Sequence, residues 1–160
     1  MIEKVLQELD KWLVQENNER RKIGTLLIKK VVIKVLGQMA LIEAKLNLQL
    51  LETADVDAYI SGEYIVIKKF DELLKMRNRF LDPDSEKVWM PKETQYTPLY
   101  KGRSVDGFLA DPESVLISKA LKAPVKNKNL VIEYLAHSPS QRFFKLAQKY
   151  KLDLNGFIKK

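Results

Sequence analysis

The chain has 160 residues, no cysteine, and 28 Lys and Arg against 21 Asp and Glu. That length is enough for one domain with a core of its own, and 46% hydrophobic residues marks a globular chain rather than a disordered one. The missing cysteines exclude disulfides and thiolate metal sites. No apolar run approaches the roughly 20 residues of a membrane span. Glu3, Lys4, Glu8 and Asp10 interrupt the start of the chain, as no secretory signal does. A soluble, cytoplasmic protein without a membrane partner is the expectation. The +7 charge favours anionic partners such as nucleotides, RNA or acidic proteins. Its lysines, however, are scattered in pairs such as Lys29-Lys30, Lys68-Lys69 and Lys159-Lys160, with no basic block carrying interleaved aromatics.

Residues 2–16 place Ile2, Val5, Leu6, Leu9, Trp12 and Leu13 at helical spacing, which predicts an amphipathic helix. Residues 17–22 read as a polar break. In residues 25–36 the β-branched Val31, Val32, Ile33 and Val35 predict a buried strand ending at Gly37, with a helix over 38–47 directly behind it. Residues 48–60 alternate as a second strand. Residues 64–68 fit a strand or a helix, and Phe70, Leu73, Leu74 and Phe80 suggest a helix running to Leu81. Asp82-Pro83-Asp84-Ser85 has the composition of a turn. Short β-like runs follow at 88–90, 96–100 and 104–109.

Asp111-Pro112-Glu113 carries a helix start, with Asp as N-cap and Pro at the first helical position; that helix should stop before Pro124. Asn129 caps a further helix, and Ser138-Pro139-Ser140-Gln141 reads as a capping box opening a last one. Strands in the middle and helices at both ends predict one α+β domain over 1–160, with a core of about 25–135 and a helical segment over 136–160. Trp12, Trp89, Phe143 and Phe144 are expected in the core.

The chemistry-bearing stretch runs from Gly37 to Asp57. A strand, a glycine and an immediate helix bring backbone N–H groups to where a phosphate can sit. The next strand carries Asp55 and Asp57, whose spacing of two puts both carboxylates on one face. Adjacent carboxylates raise each other's pKa unless a cation lies between them. Magnesium, shared between such carboxylates and substrate phosphates, suits the pattern. The single histidine, His137, reads as a loop residue, and no Gly-x-Ser-x-Gly, Walker-type or Gly-x-Gly-x-x-Gly motif is present.

Gly37-Gln38-Met39, a helix, and then Thr53-Ala54-Asp55-Val56-Asp57 resembles the signature of the nucleotidyltransferase superfamily. The likeness is greatest to the small prokaryotic nucleotidyltransferases that include abortive-infection toxins of toxin–antitoxin pairs. Residues 104–109, Pro112-Glu113 and Lys119 look similar to the second block of that pattern, so the resemblance covers roughly residues 30–135. It implies a mixed central sheet flanked by helices and magnesium-dependent transfer of a nucleoside monophosphate from a nucleoside triphosphate to an acceptor hydroxyl. The acceptor would be RNA or a protein, and a cognate antitoxin would be a partner. Asp55, Asp57 and Asp106 would be the catalytic, metal-holding carboxylates. Gly37, Gln38 and Lys119 would contact the phosphates. Gln38 departs from the pattern, which has a second glycine or a serine there. This motivates a second expectation, a relative without turnover that binds a nucleotide or a partner. A third, a charge-driven nucleic-acid-binding module, requires the lysines to gather on one face.

Overall fold

The computed structural model describes residues 1–137 and 139–157. Helix α1 (Ile2–Ile23) runs through the expected polar break. Asn17 does not end it, because its buried side chain accepts from Ile28 N–H at 2.8 Å and donates to Ile28 C=O at 3.0 Å. The helix stops at Gly24, whose φ of 73° is the left-handed cap that glycine accepts without steric cost. Strand β1 (Val31–Val35) follows, then the short helix α2 (Gly37–Glu43).

The single strand expected over 48–60 is two pieces, β2 (Asp55–Val56) and β3 (Ala58–Ser61), after an irregular approach. Tyr64–Lys75 is helix α3, which settles the open reading at 64–68: Val66, Phe70, Leu73 and Leu74 share one buried face. It ends well before Phe80–Leu81, which form strand β4. Residues 88–90 belong to no strand, while β5 (Tyr96–Lys101) and β6 (Val105–Ala110) form the hairpin. Helices α4 (Pro112–Lys122), α5 (Lys128–Ala136) and α6 (Gln141–Lys149) complete the fold. Asp111 caps α4 as expected, its side chain accepting from Ser114 N–H. Helix α6 is capped by Ser140, through Phe143 N–H, so it starts later than a Ser138 cap would have it; Ser138 itself lies outside the described residues.

The fold is α+β, with a mixed four-stranded sheet in the order β3-β1-β6-β5 and a separate parallel pair β2-β4. Strand β1 runs antiparallel to β3 and parallel to β6. Val31, Ile33 and Val35 of β1 are fully buried while the residues between them are half-buried, so one face of the sheet is closed. Helix α1 closes it. Leu6 lies over Gly107 so tightly that no Cβ fits there, which is why mid-strand β6 carries a glycine. Phe143 is in the core as expected, but Trp89 and Phe144 are each 46% exposed. Among the described residues no helix is long and apolar enough to cross a membrane.

One buried charge ties α1 to the β5–β6 hairpin. Asp10 accepts from Ser104 N–H at 2.6 Å, Val105 N–H at 2.9 Å and Tyr100 O–H at 2.8 Å. Burial works to raise its pKa, but these donors outweigh it and hold the carboxyl below its ordinary value. With Arg103 N–H also donating at 3.3 Å, Asp10→Ala strands three backbone N–H groups and a phenol at once. It is expected to lower the unfolding free energy by about 3 kcal/mol in chemical denaturation; a loss under about 1 kcal/mol would contradict this role.

Candidate metal centre

The acidic corner sits where the end of β1 meets the small β2-β4 pair. Leu36 N–H donates to Asp57 C=O at 2.8 Å, which places Asp57 just beyond the end of β1, between β2 and β3. Strand β4 runs parallel to β2 with Asp55 opposite Phe80 and Val56 opposite Leu81. Asp82 N–H then donates to Val56 C=O at 2.9 Å, bringing Asp82 alongside Asp57. One carboxylate oxygen from each of Asp55, Asp57 and Asp82 lies within 4.8 Å of the other two, a grouping that can hold a metal ion. All three are partly buried.

Asp106 is not in that group. The parallel register sets Asp106 opposite Val32, near the start of β1, whereas Asp57 lies past its end. Four residues of strand separate the two positions, about 13 Å at strand rise. The Asp106 carboxylate is engaged instead by Lys30 at 3.2 Å and Lys101 at 3.5 Å. The expectation that it is the third carboxylate is therefore corrected, and Asp82 takes that place. Composition marks Asp82 only as the first residue of a turn. It is that as well, since its Oδ1 accepts from Asp84 N–H at 2.8 Å. The remaining signal is the apolar pair Phe80-Leu81 before it, too short for any periodicity.

Gly37 has φ of 60°, and a Cβ added there would come within 2.7 Å of Asp57 Oδ2. Both the backbone conformation and the close approach require glycine. Gln38 does not aim its amide at this corner: Nε2 donates to Leu51 C=O at 2.9 Å and fixes the loop leading to β2. Thr53 Oγ1 hydrogen-bonds the Asp55 carboxylate, which explains the threonine two residues before it.

Lysines of α4 lie within electrostatic reach of the acids. Lys119 is half-buried; burial, and secondarily Lys126, push its pKa down, against the pull of Asp57 and Asp55. Lys122 acts on Asp57 in turn. Among the described residues Lys119, Lys122 and Lys126 enter no ion pair within 4.0 Å. Lys119 and Lys122 thus act on the acids without closing an ion pair on them among the described residues. A hollow of about 410 Å³ lies elsewhere, against Leu121, Val125, Leu152 and Phe157, and Asp55, Asp57 and Asp82 do not line it. His137 is an exposed residue at the end of α5.

Burial raises the Asp57 pKa to about 6, with Asp82 and then Asp55 adding to it. The folded protein therefore holds a proton at Asp57 between about pH 4 and 6 that the unfolded chain has released. Stability contributed by that proton is present at low pH and is lost as the pH rises through 6. In chelator, the protein is expected to gain about 1 kcal/mol between pH 7.5 and 5, a gain reduced by solvent screening of the partly exposed Asp57. Asp57→Asn should raise the pH 7.5 thermal midpoint and flatten this dependence. A variant less stable than wild type at pH 7.5 in chelator would contradict the repulsion.

No protein-family model matches the chain, and no curated protein or solved structure matches it either. What the acidic corner can do is judged from its own residues.

Proposed function

We propose that the protein is a magnesium-dependent nucleotidyltransferase, moving a nucleoside monophosphate from a nucleoside triphosphate to an acceptor hydroxyl. The observation that carries this reading is one corner in which Asp55, Asp57 and Asp82 converge, with Lys119 and Lys122 of α4 within electrostatic reach of them. An all-oxygen donor set suits a hard divalent cation, and no thiolate or second histidine competes for a softer one. Asp55, Asp57 and Asp82 would hold the cation. When bound, magnesium offsets charge on a triphosphate and orients it.

The chain's own groups supply the rest. Lys119 and Lys122 would meet phosphate oxygens, and the burial of Lys119 strengthens its attraction to an anion. Gly37 allows α2 to begin against Asp57 without a side chain between them. The acceptor oxygen forms the new bond to the α-phosphorus as the bond to the β-phosphate oxygen breaks and pyrophosphate departs. The acceptor proton passes to a carboxylate of the corner.

The tethered amide of Gln38 favours a second reading, nucleotide binding without turnover, because that side chain is spent on Leu51 C=O. Calorimetric titration of ATP, CTP, GTP and UTP with magnesium addresses both. Binding of at least one nucleotide is expected, lost in Asp55→Asn/Asp57→Asn and weakened about tenfold in Lys119→Met. Binding with release of pyrophosphate supports the transferase, and binding without it supports the second reading. No magnesium-dependent binding to wild type would overturn both.

A further inference from the structure

The sheet face turned away from α1 gathers aromatic rings and lysines that lie far apart in sequence. Residues opposite each other in register share a face, so Lys34 lies beside Tyr59 and Phe108, and Tyr96, Asp106 and Lys101 fall on that same side. None of the rings there is fully buried. Lys34 Nζ stands 4.6 Å from the Tyr96 ring centroid and Lys101 Nζ 4.7 Å from that of Phe108, so one face of each ring meets a cation, while Tyr96 also packs against the core. Lys30 joins them through Asp106, at 3.2 Å.

A second, independent feature lies among these residues. Asp106 is only 9% exposed; its Oδ2 serves Lys30 and Lys101, but its Oδ1 is buried with no hydrogen-bond partner among the described residues. An acceptor left unpaired among lysines and ring faces lacks a donor.

We propose that this face binds single-stranded nucleic acid, with Phe108 and Tyr96 stacking bases, Lys30, Lys34 and Lys101 meeting phosphates, and Asp106 Oδ1 accepting from a base amino group or a ribose 2′-hydroxyl. Alternatives fit less well. A duplex hides its base faces and gives aromatic rings nothing to stack on, and an acidic peptide would use the lysines but leave the rings and Asp106 Oδ1 unused. The three lysines outnumber the one acid, so the face attracts a polyanion, and cations resting on the rings can move to phosphates as bases take their place. The sequence hides all this because Lys34, Tyr96 and Phe108 come from three strands. The proposal stands apart from the transferase reading and needs no cation at the acidic corner.

The test is fluorescence anisotropy with a fluorescein-labelled single-stranded uridine oligonucleotide, in chelator, over a salt series. Wild type is expected to bind, more tightly than it binds a duplex of the same length. Phe108→Leu, which keeps an apolar side chain, should weaken binding about tenfold with an unchanged thermal midpoint. Lys34→Gln/Lys101→Gln, which removes two charges and keeps a long polar side chain at each position, should lower the salt slope by about 1.4. Asp55→Asn/Asp57→Asn should bind like wild type, which separates this face from the acidic corner. Absence of binding, equal affinity for duplex, or binding indifferent to both Phe108→Leu and the double lysine change would each overturn the proposal.

Discussion

Three carboxylates held within reach of one another are the constraint on which the corner depends. Asp57 and Asp82 are brought together by backbone pairing, not by side-chain attraction: β2 and β4 are only two residues long, yet their parallel register sets the two acids abreast. The resulting repulsion, added to burial, lifts Asp57 to a pKa of about 6. The fold holds an arrangement that is unfavourable without a proton or a cation, and strain of this kind marks functional sites more often than structural ones.

The surrounding architecture keeps that corner from relaxing. The 3₁₀ turn at Ser85–Lys87 follows Asp82 directly, and Ser85 Oγ both donates to Asp82 C=O at 2.7 Å and accepts from Ala58 N–H at 3.2 Å, stitching β3 to the turn. Gly37 leaves no side chain to push Asp57 aside. On the lysine side, α4 is anchored at its N-terminus by Arg142, which donates to Asp111 Oδ1 at 2.7 Å. Glu113 in turn receives hydrogen bonds from Tyr134 and, at 2.7 Å, from Ser140. The Pro112-Glu113 pair therefore works structurally, fixing the helix that carries Lys119 and Lys122 by tying α5 and α6 to its start.

Much of this was legible in the residues. A β-branched run ending in glycine, paired aspartates two apart, and an Asp-Pro-Glu helix start each have one dominant local solution, and β1, Asp55 with Asp57, and α4 follow it. What was not legible depended on tertiary pairing. Asn17 reads as a break until Ile28 offers both backbone groups to it. Asp82 reads as a turn residue until β4 is seen beside β2. Asp106 has the look of a third carboxylate, and only the register of β6 against β1 puts it at the other end of the sheet. Trp89 looks like core, but it packs edge-on against Tyr150 at 5.0 Å and stays largely exposed.

The most direct measurement of the central claim is a magnesium titration of the ¹⁵N-labelled protein, without nucleotide, followed by backbone amide chemical shifts. Saturable shifts centred on Gly37, Asp55 to Ala58 and Asp82, with Asp106 unmoved, are the predicted result. Shifts centred on Asp106, Lys30 and Lys101, or none at millimolar magnesium, would contradict a cation site built from Asp55, Asp57 and Asp82.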